Sequence, residues 1–163
     1  MTLGRVLATV SQHQTRYITI TGGEPLAQPA VLPLMTQLCD LDYRVSLETS
    51  GALDISQVDV RVSKVMDLKT PASGECQRNL YSNLEHLTPH DQIKFVICNI
   101  EDYEWSRATV EKYSLDTRCE IIFSPASELV SATQLADWIL QDALPVRLQI
   151  QLHKHLWGNQ EGK

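Results

Sequence analysis

Four short stretches of this chain combine residue types able to do chemistry with a spacing that could bring them together. The first is Thr21-Gly22-Gly23-Glu24-Pro25, which follows a β-branched run, Tyr-Ile-Thr-Ile. Two adjacent glycines let a chain bend sharply, and without Cβ atoms a ligand can reach the main chain itself. The exposed N–H and C=O groups suit polar ends such as an amine and a carboxylate, and the Glu24 carboxylate suits an ammonium group. A plain strand-to-helix turn uses a diglycine equally well. The second stretch is Glu48-Thr49-Ser50-Gly51, the third Asp67-Leu68-Lys69, and the fourth Gln151-Leu152-His153-Lys154-His155. Taken alone, Glu48 also reads as a solvated carboxylate and Lys69 as a surface cation. His153 and His155 would share a face on a strand, but two histidines without a third ligand make a poor metal site.

The elements that must position these residues alternate in type. Leu3 to Gln14, Pro29 to Leu41, Asp102 to Tyr113 and the segment capped by Ser131 through Leu140 carry apolar residues at helical spacing. Pro29 and Pro33 fall in the first turns of the second helix, where a missing N–H is harmless. Arg16–Thr21, Arg44–Thr49, Val62–Leu68, Gln92–Cys98, Glu120–Phe123 and Val146–Gln151 are short and rich in β-branched residues, as strands are. A shorter helix is expected within Gln77 to Leu87. Such alternation predicts an α/β fold of mostly parallel strands joined by right-handed crossovers. In those sheets, open or curled into a barrel, ligands gather at the carboxyl ends of the strands. All four chemical stretches fall at such ends, as does Ser124-Pro125. One domain over residues 1–163 is enough, with no internal repeat or linker.

Bulk properties narrow the function class. The 163 residues are 43% apolar and 21% charged, close to the globular average, with a formal net charge of −6. The 14 Lys and Arg residues are scattered, which does not favour a nucleic-acid partner. No apolar run approaches a membrane span, and a cytoplasmic protein binding a small molecule is the expectation. The four cysteines, Cys39, Cys76, Cys98 and Cys119, are far apart, form no CxxC or CxxxCxxC chelate and read as small buried hydrophobes. Trp105, Trp138 and Trp157 read as packing residues, and Glu101-Asp102 with Glu104 as an acidic helix start favoured by the helix dipole.

As strings, these stretches resemble a known family. Ile-Thr-Gly-Gly-Glu-Pro is similar to the GGEP element of the radical S-adenosylmethionine superfamily. Glu48-Thr49-Ser50-Gly51, Val65-Met66-Asp67-Leu68-Lys69-Thr70-Pro71, Asp91-Gln92-Ile93-Lys94-Phe95-Val96 and Gln149 to Lys154 with Leu156-Trp157-Gly158 resemble, in order, the 7-carboxy-7-deazaguanine synthases. The resemblance covers essentially the whole chain. It implies a partial (β/α) barrel of the radical S-adenosylmethionine type, without the first strand and cluster loop that precede GGEP in the family. Met1 would then mark a truncated gene, a misplaced start or a split product.

The resemblance also implies roles. Gly22, Gly23 and Glu24 would meet the cofactor's methionine end, and Asp67, Leu68 and Lys69 its adenosyl part; other branches of the family carry Ser-Pro-Lys there, which leaves Lys69 the firmest of the three. Thr21, Glu48 and His153 would meet the substrate, with Glu48 able to handle a proton in catalysis. The implied activity is that of a carbon–nitrogen lyase turning 6-carboxy-5,6,7,8-tetrahydropterin into 7-carboxy-7-deazaguanine, on the route to queuosine in transfer RNA. Implied cofactors are S-adenosylmethionine, a 4Fe-4S cluster and Mg2+, the ligands for the latter two lying outside this chain. Implied partners are an electron donor such as flavodoxin and a second copy in a homodimer. The alternative is an inactive fragment or a non-catalytic remnant that still binds nucleoside and pterin.

Overall fold

The computed structural model describes residues 2–126, 129–158 and 160, and of residues 153–155 the backbone alone. Its elements run α1 (Leu3–Val10), β1 (Tyr17–Ile20), α2 (Val31–Asp40), β2 (Arg44–Thr49), β3 (Ser63–Asp67), β4 (Gln92–Ile97), α3 (Ile100–Tyr113), β5 (Glu120–Pro125), α4 (Ala132–Gln141), β6 (Arg147–Leu148) and α5 (Leu152–Trp157). The strands form one six-stranded sheet in the order β1 to β6. Every neighbouring pair is parallel. A strand order that never reverses, with crossovers of one hand, puts all the helices on one face. The result is a partial (β/α) barrel rather than a doubly wound sheet, with β1 and β6 as its edges.

The two faces of the sheet differ in chemistry. Val45, Leu47, Met66, Ile93, Phe95, Ile121 and Phe123 are buried and join Met35 and Leu38 of α2, Tyr103 and Val110 of α3, and Leu135 and Ile139 of α4 in one core. The alternate residues Ser46, Glu48, Ser63, Asp67, Gln92 and Lys94 face the other way and keep some exposure. Parallel strands covered on both faces read as continuous apolar runs; here the alternation marks a concave face reserved for polar groups. Along that face Thr19 bonds Ser46 at 3.0 Å, Thr21 bonds Glu48 at 3.0 Å and Gln92 bonds Glu120 at 2.6 Å.

Helix and strand types follow the sequence expectations over most of the chain, and the departures have local causes. Ser131 does cap α4, its hydroxyl accepting from the Gln134 N–H. Between residues 76 and 86 the expected short helix is replaced by two 3₁₀ turns, Cys76–Arg78 and Tyr81–His86. The last strand, expected over Val146–Gln151, is cut to Arg147–Leu148. Its partner β5 ends at Pro125, which has no N–H to continue the ladder. The chain then enters α5, so His153 and His155 lie on a helix and the shared strand face expected for them does not exist. Trp157 is 50% exposed and does not pack as expected, whereas Trp105 and Trp138 pack partly buried against the core. Cys39 and Cys119 are buried as small hydrophobes, but Cys76 and Cys98 are only partly so.

Candidate functional site

The carboxyl ends of β1 to β4 surround an open cavity of about 120 Å3 lined by Thr21, Gly23, Glu48, Thr49, Ser50, Val65, Asp67, Lys69 and Lys94. Five of these, Thr21, Gly23, Glu48, Asp67 and Lys69, are site residues expected from the sequence. Gly22 and Gly23 take φ values of +96° and +54°, a region that favours glycine, and a Cβ at either would meet nothing within 4 Å. The diglycine therefore turns the chain and leaves its main chain open. Thr21 donates to Glu48 Oε2. Lys69 Nζ lies 2.9 Å from Asp67 Oδ2 and Lys94 Nζ lies 3.9 Å from the same oxygen. Asp67 Oδ1 is buried with no hydrogen-bond partner among the described residues. A buried carboxylate oxygen without a donor is a strong acceptor awaiting one.

Two expected residues are placed differently. Glu24 turns into the protein: it accepts from Leu26 N at 3.2 Å, from Thr49 Oγ1 at 2.9 Å and from Ser50 N at 2.8 Å, and it also takes the Ser50 hydroxyl. Partial burial works against its charge, but the bonds from Ser50, Leu26 and Thr49 outweigh that and hold its carboxyl below the ordinary value. Its carboxylate thus fastens the diglycine turn onto the end of β2. Leu68 points into the core with 1% exposure, leaving only its main chain near the site, where its N–H donates to Lys94 O at 3.0 Å. The His153 side chain lies outside the described residues.

Several residues that hold the site together carried no obvious signal. The Asn79 amide pairs with the main chain of Lys69 in both directions, Lys69 N to Oδ1 and Nδ2 to Lys69 O, each at 2.9 Å. Asn83 does the same for the other wall, donating to Gly51 O and Leu53 O and accepting from Ile55 N. Asp102 is fully buried and accepts from Thr70 Oγ1, Ala72 N and Cys98 N, pinning the segment after Lys69 to the start of α3. It is a structural hub as well as a dipole partner. A short polar residue in a loop is a weak sequence signal, because turns use the same residue types for local bonds.

The residues present fit S-adenosylmethionine and do not fit an iron–sulfur cluster. For the former there are an open glycine main chain, a Glu48 oxygen that takes no hydrogen bond among the described residues, and ammonium groups around one cavity. For the latter, three thiolates are needed on neighbouring positions. All four thiols are pushed above their ordinary value, first by burial, Cys119 to about 11. No group of three His, Cys, Asp or Glu is placed to hold a metal among the described residues.

Known proteins place the chain. It is 35% identical over 161 residues to the 7-carboxy-7-deazaguanine synthase of Chlorobaculum tepidum, covering 97% of this chain and 73% of that protein. The chain belongs to the 7-carboxy-7-deazaguanine synthase family. The synthase of Koribacter versatilis is 42% identical over 154 residues, with 86% of this chain and 68% of that protein covered. Among solved structures, QueE from Escherichia coli superposes with a TM-score of 0.72 at 22% identity, over 93% of this chain and 64% of that one. SuiB from Streptococcus suis bound to S-adenosylmethionine gives a TM-score of 0.58 at 13% identity, over 90% of this chain and 40% of that one. These two likenesses carry the fold. No protein-family model matches the chain. The chain spans roughly two thirds to three quarters of the length of the two synthases, 68% and 73%. No described helix is long and apolar enough to cross a membrane.

Proposed function

We propose that these residues form the cofactor and substrate walls of a 7-carboxy-7-deazaguanine synthase, acting on 6-carboxy-5,6,7,8-tetrahydropterin as a carbon–nitrogen lyase. The observation that carries the reading is one cavity gathering Thr21, Gly23, Glu48, Asp67 and Lys69 at three successive strand ends. Gly22 and Gly23 offer main-chain groups to the amino-acid end of S-adenosylmethionine, with Glu24 holding their turn in place. Asp67 and Lys69 offer an acceptor and a donor to its nucleoside end, Leu68 contributing main chain only. When bound, S-adenosylmethionine would supply the radical that removes a substrate hydrogen. Glu48 keeps Oε1 available, because Thr21 bonds Oε2. Oε1 can accept from a ring N–H of the pterin, or take a proton released as the ring contracts and ammonia leaves. His153 completes the substrate side in this reading.

A second reading is favoured by the spread of the cysteines: on their own, these residues bind the two ligands without starting the radical. The first reading would also bring in a 4Fe-4S cluster, Mg2+, an electron donor such as flavodoxin, a homodimer, a cytoplasmic setting and the supply of queuosine to transfer RNA. Titration calorimetry with S-adenosylmethionine and with the pterin tests the shared claim. Saturable binding of both, weakened by Lys69→Ala and Glu48→Gln respectively, is expected. A chain that folds and binds neither sinks it. Reconstitution with iron and sulfide separates the two readings: brown absorbance with 5′-deoxyadenosine formation favours the enzyme, and a colourless chain that binds both ligands favours the binding module.

A further inference from the structure

Lys94 lines the cavity and makes no hydrogen bond with its ammonium group among the described residues. It stands opposite Asp67 in the β3–β4 register, on the polar face, and lines the cavity with Glu48 and Lys69. Its side chain is 25% exposed, and its nearest anion is 3.9 Å away, beyond hydrogen-bond length. That oxygen, Asp67 Oδ2, is already taken by Lys69 at 2.9 Å. No hydrogen bond to Lys94 Nζ is made among the described residues. An ammonium group has three donors, and withdrawing it from water without acceptors is unfavourable. The remaining cavity carboxylate, Glu48, sits on β2, two strands away, or roughly 10 Å at ~4.8 Å per strand.

Pairing Lys69 with Asp67 leaves the cavity polarised, with an acceptor at Glu48 and a donor at Lys94. A ligand with N–H groups at one end and a carboxylate at the other complements that arrangement. We propose that Lys94 receives the carboxylate of a bound ligand, its ammonium donating directly to the carboxylate oxygens. The assignment rests on the proposed function, and both of its ligands carry such a group. 6-Carboxypterin carries its donor-rich pyrimidine edge and its carboxylate at opposite ends, as Glu48 and Lys94 require. S-Adenosylmethionine also carries a carboxylate, but on the amino-acid end that the proposed function places at Gly22 and Gly23 after β1, three strands from Lys94, so the pterin is the expected source.

The test is calorimetric titration of the wild-type and Lys94→Met chains with two pairs of probes: 6-carboxypterin against pterin, and S-adenosylmethionine against 5′-methylthioadenosine. Each pair differs by loss of the carboxylate-bearing group. Lys94→Met should weaken one carboxylate ligand at least tenfold and leave its carboxylate-free counterpart within twofold, and the affected pair names the source. Lys94→Arg should retain most of the affinity. If Lys94→Met lowers the urea midpoint, Lys94→Gln replaces it. Unchanged affinity for both carboxylate ligands overturns the assignment while the proposed function stands. Equal losses for ligands with and without the carboxylate also overturn it. A wild-type chain that binds none of the four overturns both.

Discussion

Strands β3 and β4 carry charge at both ends, and the two ends use it in opposite ways. At the amino end Lys64 and Asp91 form an ion pair at 3.0 Å with side chains 4% and 0% exposed. Asp91 also accepts from Lys64 N, Thr88 N and Thr88 Oγ1, so its acceptor sites are filled by the protein. At the carboxyl end Asp67, Lys69 and Lys94 meet around an open cavity, where the two ammonium groups share one Asp67 oxygen. A closed network fixes strand placement and offers nothing to a ligand. An open one retains donors and acceptors that only a ligand can satisfy. Parallel α/β architecture assigns stability to one end of its strands and chemistry to the other.

The largest effect should come from breaking the closed end. Asp91→Ala would strand Lys64 and three donors in the core and destabilise the fold by about 3–5 kcal/mol, read as a fall in the urea midpoint at unchanged slope. Next is the framework under the open end: Asn79→Ala removes two bonds to the Lys69 main chain and should cost about 1–3 kcal/mol. It should also weaken S-adenosylmethionine binding, whereas Asp91→Ala should leave the affinity of the remaining folded fraction unchanged. At the open end itself, Lys69→Ala should leave stability within about 0.5 kcal/mol while reducing S-adenosylmethionine affinity about tenfold, or ~1.4 kcal/mol. A fall in the urea midpoint as large as that of Asp91→Ala would erase the distinction between the two ends.

The smallest effect is a pH dependence at the diglycine turn. The Glu24 carboxyl is held below its ordinary value, so the stability it contributes is complete above the unfolded-state value near 4.5. It is lost as pH falls through the lower folded-state value. Glu24→Gln should flatten that acid limb by lowering the urea midpoint more at pH 6 than at pH 3, because the amide stands in for the protonated carboxyl. An identical acid limb in the variant would mean that the bonds from Ser50 and Leu26 do not depend on the charge.

Residue types and their order were enough to pick out five residues that line one cavity. Strand ends can be read from β-branched runs followed by glycine or polar residues, and the α/β rule makes those ends the place for ligands. That logic, with the family resemblance, marked Thr21, Gly23, Glu48, Asp67 and Lys69 before any coordinates. It gave Glu24 a ligand role, because sequence shows the carboxylate and not the Ser50 and Leu26 N–H groups that occupy it. It grouped Leu68 with its neighbours, although in a strand the middle residue of three points to the opposite face. Lys94 appeared only within a motif, and Asn79, Asn83 and Asp102 not as parts of a site at all.

The sequence by itself determined the class of fold, the family and the strand ends that carry chemistry, since these depend on periodicity and on residues near one another in the chain. Tertiary structure alone decided which charges are spent on the protein and which remain for a ligand. Asp67 and Asp91 are both carboxylates beside lysines on adjacent strands. Pairing across 27 residues closes one with Lys64, and the other stays at the rim of an open cavity with two lysines sharing one of its oxygens, because hydrogen bonds over such separations are set by where the backbone brings their partners.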